Sequence, residues 1–222
     1  MKFLTLTIFI LLACSPAFAQ ESSTRPDANA PLSASEVKQK ISQLKDQDRP
    51  LEAIDALGKD GTPAAKQALR SALKKEKNPH VRARLVDAID KKQDKDSASE
   101  LSTMAKSDAD ADVRSSAVRA LGYLKDAAAV AVLIEKFNDE KEQSGIRLQA
   151  ANSLANYPRD DVFTVLVEAL GDSNVLIRKQ ALVSLYNGFS SDKARVRPHL
   201  ERMLKDNDTK ELAEKYLSLL GK

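Results

Sequence analysis

Residues 110–124 read DADVRSSAVRALGYL. Acidic residues open the stretch and Val113-Arg114 follow. Ala117 then comes three residues after the arginine, Leu121 seven after, and Gly122 closes the unit. Apolar residues three and four apart predict one amphipathic helix. Whether that helix stands alone depends on the rest of the chain.

The frame recurs. Val81-Arg82 is followed by Leu85 and Ile89, Ile146-Arg147 by Ala150 and Leu154, and Ile177-Arg178 by Ala181 and Leu185. One period back from Arg82 lies Pro50, with Ala53 and Leu57 in register. One period on from Arg178 lies Lys210, with Ala213 and Leu217. That makes four sharp copies flanked by two degenerate ones, as expected where a stacked array must cap itself.

A second apolar stripe precedes each frame. Leu69 and Leu73 lie ahead of Arg82, Leu101 and Met104 ahead of Arg114, Val130, Leu133 and Phe137 ahead of Arg147, and Val162, Leu166 and Leu170 ahead of Arg178. Each repeat is therefore a pair of helices. Thr62-Pro63 and Asn78-Pro79 each supply a capping side chain followed by proline at the first helical position, where its missing N–H costs nothing. Gly58, Gly122, Gly171 and Gly188 fall where helices are expected to end in a left-handed residue. No stretch alternates like a strand.

Paired helices with D-x-D-V-R-x-x-A-x-x-A-L-G on the second resemble HEAT repeats, in particular the short type described in phycobilisome lyases. The resemblance covers about Ser33 to Leu220. It implies an all-α fold, an α-α superhelix (α-solenoid) of about six helix pairs, curved and right-handed. One pair cannot bury its stripe alone, and stacking pairs buries a continuous core. The resemblance is nearly silent on function, because many unrelated proteins use the repeat. A lyase-like or other enzyme built of these repeats is the alternative to a plain scaffold.

Arg82, Arg114, Arg147 and Arg178 are expected to form a structural ladder. Each would bond an acidic residue in its own inter-helix turn, such as Glu76, Asp108 or Asp172, and the free carbonyls ending the preceding helix. The competing reading is a basic groove for anions. Residues two and five after the arginine should project from the second helix: Arg84 and Asp87, Ser116 and Arg119, Gln149 and Asn152, Gln180 and Val183. From this polar strip Arg84, Asp87, Arg119, Gln149, Asn152 and Gln180 are the partner-binding candidates. Tyr123, Tyr157, Tyr186 and Phe189 gather at second-helix ends, where they would either fill the core between repeats or anchor a partner.

The N-terminus carries an address. Lys2 is followed by apolar residues from Phe3 to Ala13, too short to span a membrane as a mature helix, and then by Ala17-Phe18-Ala19. This is a secretory signal over residues 1–19, with a flexible leader at 20–32 and the repeat array at 33–222. Leu11-Leu12-Ala13-Cys14 also resembles a bacterial lipobox, which would make Cys14 a lipidated first residue. Cleavage after Ala19 is the preferred reading and leaves the mature chain without cysteine. The protein is then periplasmic or extracellular, and touches the membrane only if Cys14 is lipidated.

Little chemistry is legible. The formal net charge is +3, and basic clusters such as Lys74-Lys75-Glu76-Lys77 are interrupted by acids, so no nucleic-acid stripe exists. His80 and His199 are the only histidines, and neither precedes a glutamate, unlike the His-Glu pairs that hold di-iron in the related deoxyhypusine hydroxylases. No phosphate loop or nucleophilic triad can be assembled. The expectation is a non-enzymatic scaffold with no cofactor and no metal, binding another protein or peptide of the cell envelope.

Overall fold

The computed structural model describes residues 31–44, 50–90 and 94–221. Cys14, the signal segment and all but the end of the leader lie outside the described residues. The described chain is helical throughout, with no strand among these residues. Six successive pairs follow one another: α1 (Ala34–Gln43) and α2 (Pro50–Asp60); α3 (Pro63–Leu73) and α4 (Pro79–Asp90); α5 (Ala98–Ser107) and α6 (Ala111–Leu124). Then come α7 (Ala127–Asn138) and α8 (Ser144–Leu154); α9 (Asp160–Glu168) and α10 (Val175–Phe189); α11 (Lys193–Met203) and α12 (Lys210–Leu220).

Local chemistry sets the starts. Ser33 and Glu36 form a reciprocal capping box on α1, Thr62 accepts from the Ala65 N–H ahead of α3, and Asp110 accepts from the Asp112 and Val113 N–H groups ahead of α6. Within each second helix the frame residues turn inward. Ala53, Leu85, Ala117, Ala150, Ala181 and Ala213 are buried, as are Leu57, Ile89, Leu121, Leu154 and Leu185 one turn later. Fully burying a leucine contributes about 1.5–3 kcal/mol, so this stripe carries much of the folding free energy. Glu214 is exposed in the sixth pair, where the inner pairs bury Val86, Val118, Ala151 and Leu182. The exposed side of α12 carries Glu211, Glu214 and Lys215, together with Leu219.

Three of the four expected glycines do not end helices, and Gly171 closes the 3-10 turn that extends α9 without a left-handed φ. Gly58, Gly122 and Gly188 lie inside α2, α6 and α10, and none has positive φ. They serve close approach between consecutive second helices. A Cβ on Gly58 would lie 2.9 Å from the Ala88 Cβ, and one on Gly122 only 2.6 Å from the Ser153 Cβ. The left-handed positions are instead Gly61, Lys125 and Gly221. The second helices thus form the tighter of two layers. The first helices pack more openly, with clefts between α1 and α3, α7 and α9, and α9 and α11.

Candidate interaction surface

Two polar networks run along the array. The first follows the edge where each first helix turns into its second. Arg82 Nε and Nη2 donate to the two carboxylate oxygens of Asp108 at 2.9 and 2.7 Å, while Nη1 donates to the Lys77 carbonyl. Arg114 grips Glu142 in the same bidentate way, at 2.9 and 2.8 Å, and donates to the Asp108 and Ala109 carbonyls. Arg178 donates to Asp206 and Asp208 and to the Asp172 and Ser173 carbonyls. Arg147 donates to the Phe137 carbonyl and to Asp172.

The carboxylate is therefore not the expected one. Each arginine caps carbonyls of its own repeat and reaches forward to the acid of the next repeat. Asp108 is paired to Arg82 and Asp172 to Arg147, while Glu76 accepts from the Asn78 N–H. Glu142 is the most enclosed member, its side chain 4% exposed. The Arg114 hydrogen bonds hold its carboxyl down to about 2, against the cost of burial and with help from the Gln143 N–H and the buried Lys136. Asp108 is also lowered. Burial pushes it up, but Arg82 and the Asp110 N–H outweigh that.

The second network lies on the layer of second helices. Arg84 Nη2 donates to Asp55 at 2.5 Å, and Arg119 Nη2 donates to Asp87 at 2.5 Å. Each pair joins one second helix to the one before it. Both guanidinium side chains stay about 40% exposed (41% and 39%), so these bridges are worth little, about 0–1 kcal/mol. Three of the candidates, Arg84, Asp87 and Arg119, are thus engaged with the protein itself. Asp90, on the same layer, is pushed up by burial and by Asp87, with Arg119 opposing. Gln149 and Gln180 each donate to a buried serine one turn on, Ser153 at 3.4 Å and Ser184 at 3.2 Å. Ser153 in turn donates to the Val118 carbonyl. Asn152 is exposed. The candidates lie along one strip, spread over α4, α6, α8 and α10, and do not converge on a point.

The aromatic residues divide. Tyr157 and Phe189 are buried, and the Tyr157 hydroxyl donates to the Leu121 carbonyl. Tyr186 stacks on Tyr216 with centroids 4.4 Å apart. Tyr123 alone of the four is largely exposed. His199 packs edge-on to Phe163, and burial, then Arg202 and Arg195, lower its pKa. Among the described residues no three histidine, cysteine or carboxylate side chains converge as a metal site. No described helix is long and apolar enough to cross a membrane. Sequence reasoning missed Asp55, Glu142, Lys136 and Ser153. The first could have been found as an opposite charge about one period before Arg84.

A family model described as HEAT repeats matches residues 36–122, 68–147, 99–185 and 130–220. No curated protein matches the chain. Among solved structures, YibA of Escherichia coli is 18% identical with a TM-score of 0.56, covering 85% of this chain and 82% of its own. Two engineered proteins are similar: one is 20% identical (TM-score 0.53; 84% of this chain, 98% of that one), the other 18% identical (0.52; 83% and 96%). At these identities the likeness concerns the fold alone.

Proposed function

The chain belongs to the HEAT-repeat family, and on that premise we propose that it is an exported, non-enzymatic interaction module. It holds a protein or peptide of the cell envelope against its layer of second helices. The observation that carries this reading is the strip itself. Polar side chains project at two positions per repeat from α2 to α8, and the strip continues onto α10 through Gln180, while Val183 packs against the core. An extended, repeated surface suits a long partner better than a small substrate, which a concave pocket with converging polar groups would serve. The two histidines sit in different repeats, and among the described residues neither is paired with a carboxylate as an acid–base pair would be. Export rests on the Lys2 to Ala19 signal.

Site-specific photo-crosslinking in a native or bacterial host tests the proposal. Crosslinkers at Tyr123 and Asn152 on the second helices, and at Thr103 and Glu135 on exposed first-helix positions, should behave differently. The first two should capture one exported protein and the others should not. Capture only from the first helices, or retention of the protein in the cytoplasm, would overturn the reading. So would substrate turnover abolished by a single substitution.

A further inference from the structure

The strip on the second helices is not uniform along its length. Over α2, α4 and α6 it carries charges, and those charges pair with one another through Asp55–Arg84 and Asp87–Arg119. Over α8 and α10 the charges stop. Of these positions and the next turn, all but Val183 hold carboxamides: Gln149 and Asn152 on α8, Asn156 just past its end, and Gln180 and Asn187 on α10; the Asn156 amide already donates to the Gly122 carbonyl. A carboxamide has the donor and acceptor set of a peptide bond. Four of them on two adjacent helices therefore form a surface that matches a polypeptide main chain, with Lys179 beside Gln180 as the neighbouring charge.

The glutamines are also held in place. Each spends one N–H on a serine hydroxyl buried in its own helix, and Ser153 is tied onward to the Val118 carbonyl. Ser153 and Ser184 stand where α4 and α6 bury Ala88 and Ala120, so the serines occur only in the repeats that carry the glutamines. One N–H and the carbonyl oxygen of each glutamine remain for a partner. Side chains fixed before binding lose less rotamer freedom on binding.

We infer that the α8–α10 sector binds the main chain of an extended, charge-poor peptide segment through Gln149, Asn152 and Gln180. This rests on the interaction-module reading and specifies its partner. The paired α2–α6 sector serves the array rather than the partner.

The test uses a displayed library of random dodecamer peptides, selected on the full mature chain. A selected peptide is then measured by calorimetry. Charge-poor sequences should emerge, and their affinity should change little with added salt, because uncharged hydrogen bonds are not screened as ion pairs are. Gln149→Ala, Asn152→Ala and Gln180→Ala should each weaken binding about three- to tenfold. Backbone N-methylation of the peptide should abolish it, and circular dichroism should show the variants folded. Ser153→Ala, which frees Gln149 without touching its amide, should weaken binding less than Gln149→Ala. Three results would each overturn the inference: no selected peptide, binding that resists the triple alanine variant, or salt-sensitive binding that needs Arg84 and Arg119. An envelope partner still captured through a crosslinker at Tyr123 by the triple variant would remove this inference and leave the module.

Discussion

Replacing Arg114 by alanine should remove about 2–3 kcal/mol of stability at neutral pH, and most of that should vanish in acid. The substitution deletes two hydrogen bonds to Glu142 and two to the Asp108 and Ala109 carbonyls. It leaves Glu142 enclosed but not abandoned, since Lys136 Nζ still lies 3.1 Å away and the Gln143 N–H 3.0 Å away. Breaking an enclosed pair outright costs about 3–5 kcal/mol, and the remaining lysine lowers that figure. The carboxyl itself gives a second estimate. Lowering Glu142 from 4.5 to about 2 corresponds to roughly 3 kcal/mol shared among Arg114, Lys136 and the amide. Because the folded value lies below the unfolded one, this stability is complete above pH 4.5 and is lost as pH falls toward 2. At about pH 3 less than half of it remains. Urea unfolding of Arg114→Ala and the parent at neutral pH and near pH 3 measures the difference, and Glu142→Gln closes the double-mutant cycle. Hydrogen exchange should place the loss at the junction of α6 with α7 and α8, as nearest-neighbour coupling in an array requires. A penalty below about 0.5 kcal/mol, or one equal at both pH values, would refute the reasoning.

Gly122→Ala should destabilise by about 1–3 kcal/mol, because its Cβ would meet Ser153 at 2.6 Å; Gly171→Ala, with open space around it, should be neutral or slightly stabilising by thermal melt. Lys125→Gly should stabilise by about 0.5 kcal/mol or more, since Lys125 holds a left-handed φ of 52° that costs a side chain about 1–2 kcal/mol; denaturant midpoints check it. Charge reversal at Arg84 or Arg119 should cost more than neutralisation, because each new carboxylate would face Asp55 or Asp87; comparison of Arg84→Glu with Arg84→Gln by melting temperature decides this. Mass spectrometry of the exported chain should find Gln20 as its first residue and no acyl group; a palmitate label lost in Cys14→Ala would reverse that assignment.

The helix pairs were legible because two periods are written into the chain: the helical one within each stripe, and 31 to 33 residues between frame arginines. Burial follows from these, and Ala117 and Leu121 are inside as their spacing requires. What the spacing does not contain is the distance between helices. Gly58 and Gly122 look like helix ends when read along the chain, and become contact points only when the next second helix is laid against them. The arginine ladder has the same limit. That Arg114 would cap nearby carbonyls can be read from its place at the start of a helix. That its carboxylate is Glu142 and not Asp108 depends on how far the following turn is carried by the stacking. The strip was read as free polar surface for a related reason: Asp55 and Asp87 reach Arg84 and Arg119 only across repeats.

The ladder and the strip divide the work between repeats unequally, and this bears on where a partner can act. On the turn edge every frame arginine is spent twice, once on its own carbonyls and once on the next repeat, so an incoming anion would have to displace a paired carboxylate, which at Arg82 and Arg114 is enclosed and bidentate. Such a site costs more to open than a surface contact returns. On the second-helix layer the Asp55–Arg84 and Asp87–Arg119 pairs are half exposed and weak, so they can yield, but a partner engaging Arg84 or Arg119 must first compete with a carboxylate at 2.5 Å. Over α8 and α10 no such competitor exists. Asn152 is exposed, and Gln149 and Gln180 keep a carbonyl oxygen and one N–H free while the other N–H is anchored on the core side by a serine. Of the surfaces along the array, this sector requires the least internal rearrangement before it can hydrogen-bond to something else.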